Sequence, residues 1–145
     1  MATLRQLLTQ KKFIRIPLIY TSTQHLEIEA FVNSIKGRFI LDTGASNSCV
    51  GFEAADKFNL FAEDSDIKAA GAGATDMLTQ VSEKNSITIG SWSKKNVPLV
   101  LFDLTHVNTA LITHKATPVD GILGADLLKK GKAIIDYERM CLYLK

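Results

Sequence analysis

One stretch of the sequence carries the residue types that hydrolytic chemistry needs: Phe39-Ile40-Leu41-Asp42-Thr43-Gly44-Ala45-Ser46. An apolar run delivers a carboxylate, and a turn follows at once. Burying a carboxylate at the end of such a run is costly unless it is paired or hydrogen-bonded. Gly44 lets the backbone turn without a Cβ clash and leaves its N–H free to donate to Asp42. Thr43 offers a hydroxyl that can fix the loop against neighbouring backbone. Two carboxylates facing one water can cleave an amide: one takes a proton from the water and the other, protonated, donates to the carbonyl. Like charges at close range cannot both ionise, so such a pair shares a proton, as is long documented for paired catalytic aspartates. Asp-Thr-Gly occurs once in the 145 residues, and Asp103, Asp120, Asp126 and Asp136 lack that context. The second carboxylate must therefore come from a second copy related by a two-fold axis. The competing reading of Asp42, a turn-capping residue of an ordinary hairpin, leaves its apolar lead-in unexplained.

Other chemistries find little support. Cys49 and Cys141 sit in apolar runs, where a reduced cysteine behaves as a small hydrophobe. His25, His106 and His114 are far apart in sequence and form no HxxxH pattern, so neither a metal nor a cofactor is expected. Seventeen Lys and Arg against fifteen Asp and Glu leave a net charge of +2, and the lysine pairs are scattered. That balance argues against nucleic-acid or membrane binding driven by charge. The first residues hold no apolar run long enough for a signal peptide, and no stretch approaches a membrane span, so a soluble cytoplasmic protein is expected.

The elements that must position Asp42 are strands. Residues 13–20 are rich in β-branched and aromatic types. In 25–32, Leu26, Ile28, Ala30 and Val32 share one face, and Glu27 and Glu29 the other. A turn at 33–37 leads to the strand 38–41, which runs into Asp42. Residues 48–50 read as a strand and 52–58 as a short helix. Residues 67–81 read as two arms around Gly71, Ala72 and Gly73. Residues 86–89 and 97–102 read as a strand pair, with Pro98 at an edge or strand start. Trp92 falls in the polar turn between them and reads as a surface aromatic, while 104–118 read as loop. Val119 to Leu128 contains Gly121-Ile122-Leu123-Gly124 and continues into a helix ending at Gly131, with Asp126 as a hydrogen-bonding residue near its N-terminus. Residues 133–144 close as a hairpin. Many short strands with one or two short helices imply a mostly-β, closed barrel-like domain.

The Asp42-Thr43-Gly44-Ala45 loop, the glycine-bearing hairpin and the Gly121-Ile122-Leu123-Gly124 segment together resemble the retropepsin-like aspartic proteases, the single-lobe, retroviral-type family. The resemblance covers about residues 24–144, with 13–145 as the protease domain and 1–12 as an N-terminal extension. It implies an acid-protease fold of a single lobe and an aspartic endopeptidase that is a homodimer acting on a polypeptide. It further implies Asp42, Thr43 and Gly44 in the catalytic loop, with Thr43 gripping the partner's loop. Substrate contacts would come from Ala45, Ile122 and a flap around Gly71, Ala72 and Gly73. Viral members usually carry Arg after the second loop's glycine; Ala125 stands there here, so the analogous tie is made otherwise or not at all. A degenerate dimerisation or peptide-binding module is the alternative. The apolar tail 140–144 is a candidate for the dimer interface, because an exposed apolar edge is otherwise a liability.

Overall fold

In the computed structural model, residues 1–71 and 74–145 are described, the side chains of 65–77 excepted; Ala72 and Gly73 lie outside the described residues. The chain opens with helix α1 (Leu4–Gln10), whose first turn is capped reciprocally: Thr3 Oγ1 accepts the Gln6 N–H and Gln6 Oε1 accepts the Thr3 N–H. Strands β1 (Ile14–Pro17) and β2 (Ile19–Tyr20) follow, then the hairpin β3 (Leu26–Val32) and β4 (Ile35–Leu41). Next come β5 (Cys49–Gly51), a 3₁₀ turn at Phe52–Ala54, and the long strands β6 (Glu63–Gly71), β7 (Ala74–Ile89) and β8 (Trp92–Phe102). Helix α2 (Thr105–Thr113), β9 (Gly121–Leu123), α3 (Ala125–Lys130), β10 (Ile134–Asp136) and β11 (Cys141–Leu144) complete the chain.

Eight strands form one sheet in the order β2-β3-β4-β9-β5-β8-β7-β6. A further pairing of Phe31 and Val32 with Thr88 and Ile87 joins β3 to β7 and closes six of them into a barrel. The mostly-β, barrel-like fold class expected from the sequence is therefore observed. The core is filled from the inward faces, with Ile28, Phe39, Phe58, Ile87, Leu99 and Leu123 almost wholly buried. Closure removes the free edges that short strands would otherwise expose.

Several local expectations change for physical reasons. The β3–β4 turn needs only Asn33 and Ser34, both at positive φ, as a tight hairpin requires. Gly37 belongs to β4, where a Cβ would lie 2.6 Å from the Phe58 ring. The β7–β8 turn is equally short, with Gly90 at φ +59°. Trp92 consequently enters the barrel as a buried core residue and donates its Nε1–H to the Lys145 carbonyl. Pro98 lies inside β8, opposite a register shift between Ser82 and Asn85, where its missing N–H breaks no ladder bond. The 52–58 segment makes one 3₁₀ turn, and residues expected as loop form α2. Helix α2 starts from Asp103 Oδ1, which accepts the Thr105 N–H and hydroxyl. Glu27 is buried against the half-exposed Arg38, unlike Glu29 on the same pleat face.

A separate three-stranded sheet has the order β1-β11-β10, with β11 antiparallel to both neighbours. The apolar tail is therefore not a free edge: Cys141, Leu142, Tyr143 and Leu144 are each at most 1% exposed within the single chain. Helix α1 covers this sheet by placing Leu8 against Cys141 and Tyr143. Because β11 holds both β1 and β10, Leu142→Ala should cost about 2–5 kcal/mol. Urea unfolding checks this; a midpoint equal to wild type would show that the tail is not part of the folding unit.

Candidate active site

Strand β9 passes between β4 and β5, parallel to β4 and antiparallel to β5. Its neighbours come close: a Cβ on Gly121 would lie 2.1 Å from the Cys49 carbonyl oxygen, and one on Gly124 would lie 2.5 Å from that of Ala45. Glycine is required at both for this approach. Asp42 is the first residue beyond β4, and its N–H donates to Leu123 O at 3.0 Å, extending the β4–β9 ladder by one bond. The Gly44 N–H donates to Asp42 Oδ1 at 2.8 Å, the bond expected from the sequence. The Ala45 N–H closes the turn onto Asp42 O at 3.2 Å, and Ala45 O accepts the Ala125 N–H at 2.7 Å. The loop is thus held largely by backbone bonds, while the Asp42 carboxylate itself is exposed rather than buried.

Behind the loop lies a second carboxylate with a different role. Asp126 Oδ1 accepts the Ser48 hydroxyl at 2.7 Å, the Ser48 N–H at 2.9 Å and the Leu127 N–H at 2.8 Å. Ser48 Oγ in turn accepts the Gly124 N–H at 2.9 Å. This network ties the β5 lead-in to the start of α3, which Ala125 cannot do by side chain. Asp126 was legible as a helix N-terminal acceptor. Ser48 was not, because nothing in its sequence neighbourhood marks it as fully buried.

The other expected site residues are distributed as follows. Thr43 is exposed and, with Asp42, lines a cleft of about 500 Å³ together with Tyr20, His25, Ile40 and Tyr137. Ile122 is half-buried between the small clusters around Val100 and Leu111 and does not line that cleft. Gly71 ends β6 and pairs with Ala74 of β7, while Ala72 and Gly73 of the expected flap lie outside the described residues. Among the described residues no cluster of His, Cys, Asp and Glu has the geometry to hold a metal, and no helix is long and apolar enough to cross a membrane.

A protein-family profile described as aspartyl protease matches residues 28–127, and the chain belongs to that family. No curated protein sequence matches it. Among solved structures, a retropepsin-like aspartic protease from Rickettsia conorii is similar at 24% identity, covering 91% of both chains with a TM-score of 0.60. The retroviral protease-like domain of a Leishmania major protein is similar at 15% identity over 83% of this chain and 88% of its own, with a TM-score of 0.58. The EIAV protease, solved with an inhibitor, is similar at 18% identity over 81% and 98%, with a TM-score of 0.59. At these identities the likeness is one of fold: this chain has the single-lobe, retropepsin-like architecture.

Two expected outcomes follow from the geometry. Ser48→Ala strands the Gly124 N–H and removes the hydroxyl donor from Asp126, so it should cost about 1–3 kcal/mol in urea unfolding. An unchanged midpoint would show that the network does not hold the loop. Burial pushes the Cys49 thiol up from 9.0 to about 12, with the nearby Asp126 and Asp42 adding to the rise and a backbone hydrogen bond to Ile122 opposing it. A folded-state value above the unfolded one favours the native state fully below 9 and progressively less as pH climbs toward about 12. The stability difference between wild type and Cys49→Ala should therefore be flat below 9 and shrink above it. A difference that grows with alkaline pH would contradict the burial of this thiol.

Proposed function

We propose that this protein is an aspartic endopeptidase in which two Asp42 carboxylates, one from each chain of a homodimer, activate a water to cleave a polypeptide. The observation that supports it best is the state of Asp42. One oxygen is oriented by the Gly44 N–H, the loop is anchored on Leu123 and Ala125, and the carboxylate remains exposed at the mouth of a cleft. Such a group is ordered but unpaired, and a second copy across a two-fold axis supplies its partner. In the dimer one carboxylate takes the water proton while the other, protonated, donates to the scissile carbonyl; the tetrahedral intermediate then collapses as a proton passes to the leaving amine. Thr43, exposed beside Asp42, grips the opposite loop in this reading. The β6–β7 hairpin, with Gly71, Ala72 and Gly73, serves as the flap over the peptide, and Ala45 and Ile122 are assigned to the substrate side of the loops.

The two chains meet through the Asp42 face rather than through interleaved terminal strands. Strand β11 has no free edge to offer, whereas Tyr20 and Tyr137 are 54% and 64% exposed around the cleft that contains Asp42. A shared proton also requires activity to fall in both strong acid and alkali. Asp42→Asn should keep the circular dichroism spectrum and lower cleavage of a mixed peptide library about a hundredfold or more. Turnover close to wild type would sink the assignment, and peptide binding without cleavage by the wild type would support the non-catalytic module instead. Sedimentation gives the second check: a monomer with full specific activity would end the dimer reading.

A further inference from the structure

The fold gathers all three histidines of the chain onto one cleft, although they stand far apart in sequence. His25 comes from the turn that leads into β3, and His106 and His114 from the two ends of α2. The cleft has a volume of about 440 Å³, an apolar floor that includes Val107 and the buried Leu111, and Thr23 at its rim. Thr23 Oγ1 hydrogen-bonds His25 Nδ1 at 2.7 Å, which fixes the ring's orientation. No residue lining the cleft is acidic. Asp103, on the approach to α2, lies close enough to feel the His106 charge, and Asp42 lines the other cleft that His25 also lines. His25 is thus a lining residue common to the three-histidine cleft and the Asp42 cleft.

We infer that the three-histidine cleft is a side-chain subsite that receives an acidic residue of the polypeptide substrate; this rests on the protease reading of Asp42. The chemistry is specific. Imidazole is the side chain that gains charge in mildly acidic solution, under the same conditions in which a carboxylate pair can hold its shared proton. Three such rings above an aliphatic floor suit the methylenes of a glutamate below and its carboxylate above. Electrostatic selection here is a difference between Glu and its neutral isostere, and the wall at His25 sets its distance from the bond cut at Asp42.

The test compares full-length protein on position-scanned decapeptide mixtures with Glu or Gln fixed at each position in turn. At one position the Glu mixture should be cut about fivefold faster than the Gln mixture near pH 5, the size expected for partly solvated charge pairs, with the ratio falling toward parity near pH 8. In the double variant His106→Gln/His114→Gln the ratio near pH 5 should fall toward parity as well. Absence of any Glu-preferring position, a preference independent of pH, or one that survives the double variant would overturn the inference. Failure of the protease reading is distinguished by a binding readout on Asp42→Asn protein. Three imidazole Hε1 signals report the cleft by NMR, and they should all shift with the Glu mixtures and not with the Gln mixtures. Equal shifts with both, or none, would overturn the subsite whether or not the wild type cleaves.

Discussion

Three residues of backbone, Gly121–Leu123, must thread between β4 and β5, and the close approach of the Cys49 carbonyl leaves no room at Gly121 for a side chain. Everything around the site follows from that passage. The ladder it makes with β4 sets where β4 ends and therefore where Asp42 stands. The ladder it makes with β5 fixes Cys49 beneath the loop, in a cluster with Val100, Phe102 and Leu104. Its exit at Gly124 delivers Ala125 to the carbonyl of Ala45. A barrel of six strands closes around the same seam, so the geometry of the Asp42 loop is inherited from the core rather than from the loop's own side chains.

The two aspartates at this seam stand in different environments. Asp126 receives three donors on one oxygen and is half-buried, and those bonds join β5 to α3. Asp42 receives a single backbone N–H and faces solvent. A carboxylate oxygen that takes three donors is a structural anchor, because its loss strands several N–H and O–H groups at once. Asp42, ordered by one donor and open to solvent, is tied to its surroundings far less.

Much of this was legible in the sequence, for reasons specific to particular residues. The β4–Asp42 junction was visible because an apolar run ending in Asp-Thr-Gly sets a carboxylate beside a backbone donor at a turn, and α3 because Gly131 stops a short helical pattern cleanly. What escaped was decided by distant contacts. Gly37 looked like a turn glycine, but it is small because Phe58 packs over it. Trp92 looked like a surface residue until the two-residue turn at Gly90 drew it into the core. Helix α2 has a weakly amphipathic sequence and is started by Asp103, a signal too short to read without the structure. The histidines showed no spacing pattern because the turn before β3 and helix α2 meet only in three dimensions.

The pairing of β1 with β11 also constrains how the molecule comes into being. A strand near the beginning of the chain has no partner until a strand near its end has formed, and the loop so closed spans almost the whole sequence. Contacts of that sequence separation form late and slow the overall reaction. During synthesis the barrel strands can assemble while Ile14–Pro17 waits, with Ile16 and its apolar neighbours uncovered. Completion of the terminal sheet is then a check on chain integrity: a copy truncated before Cys141 leaves both β1 and β10 unpaired and offers two bare edges to whatever folding helper or degradative machinery meets it first.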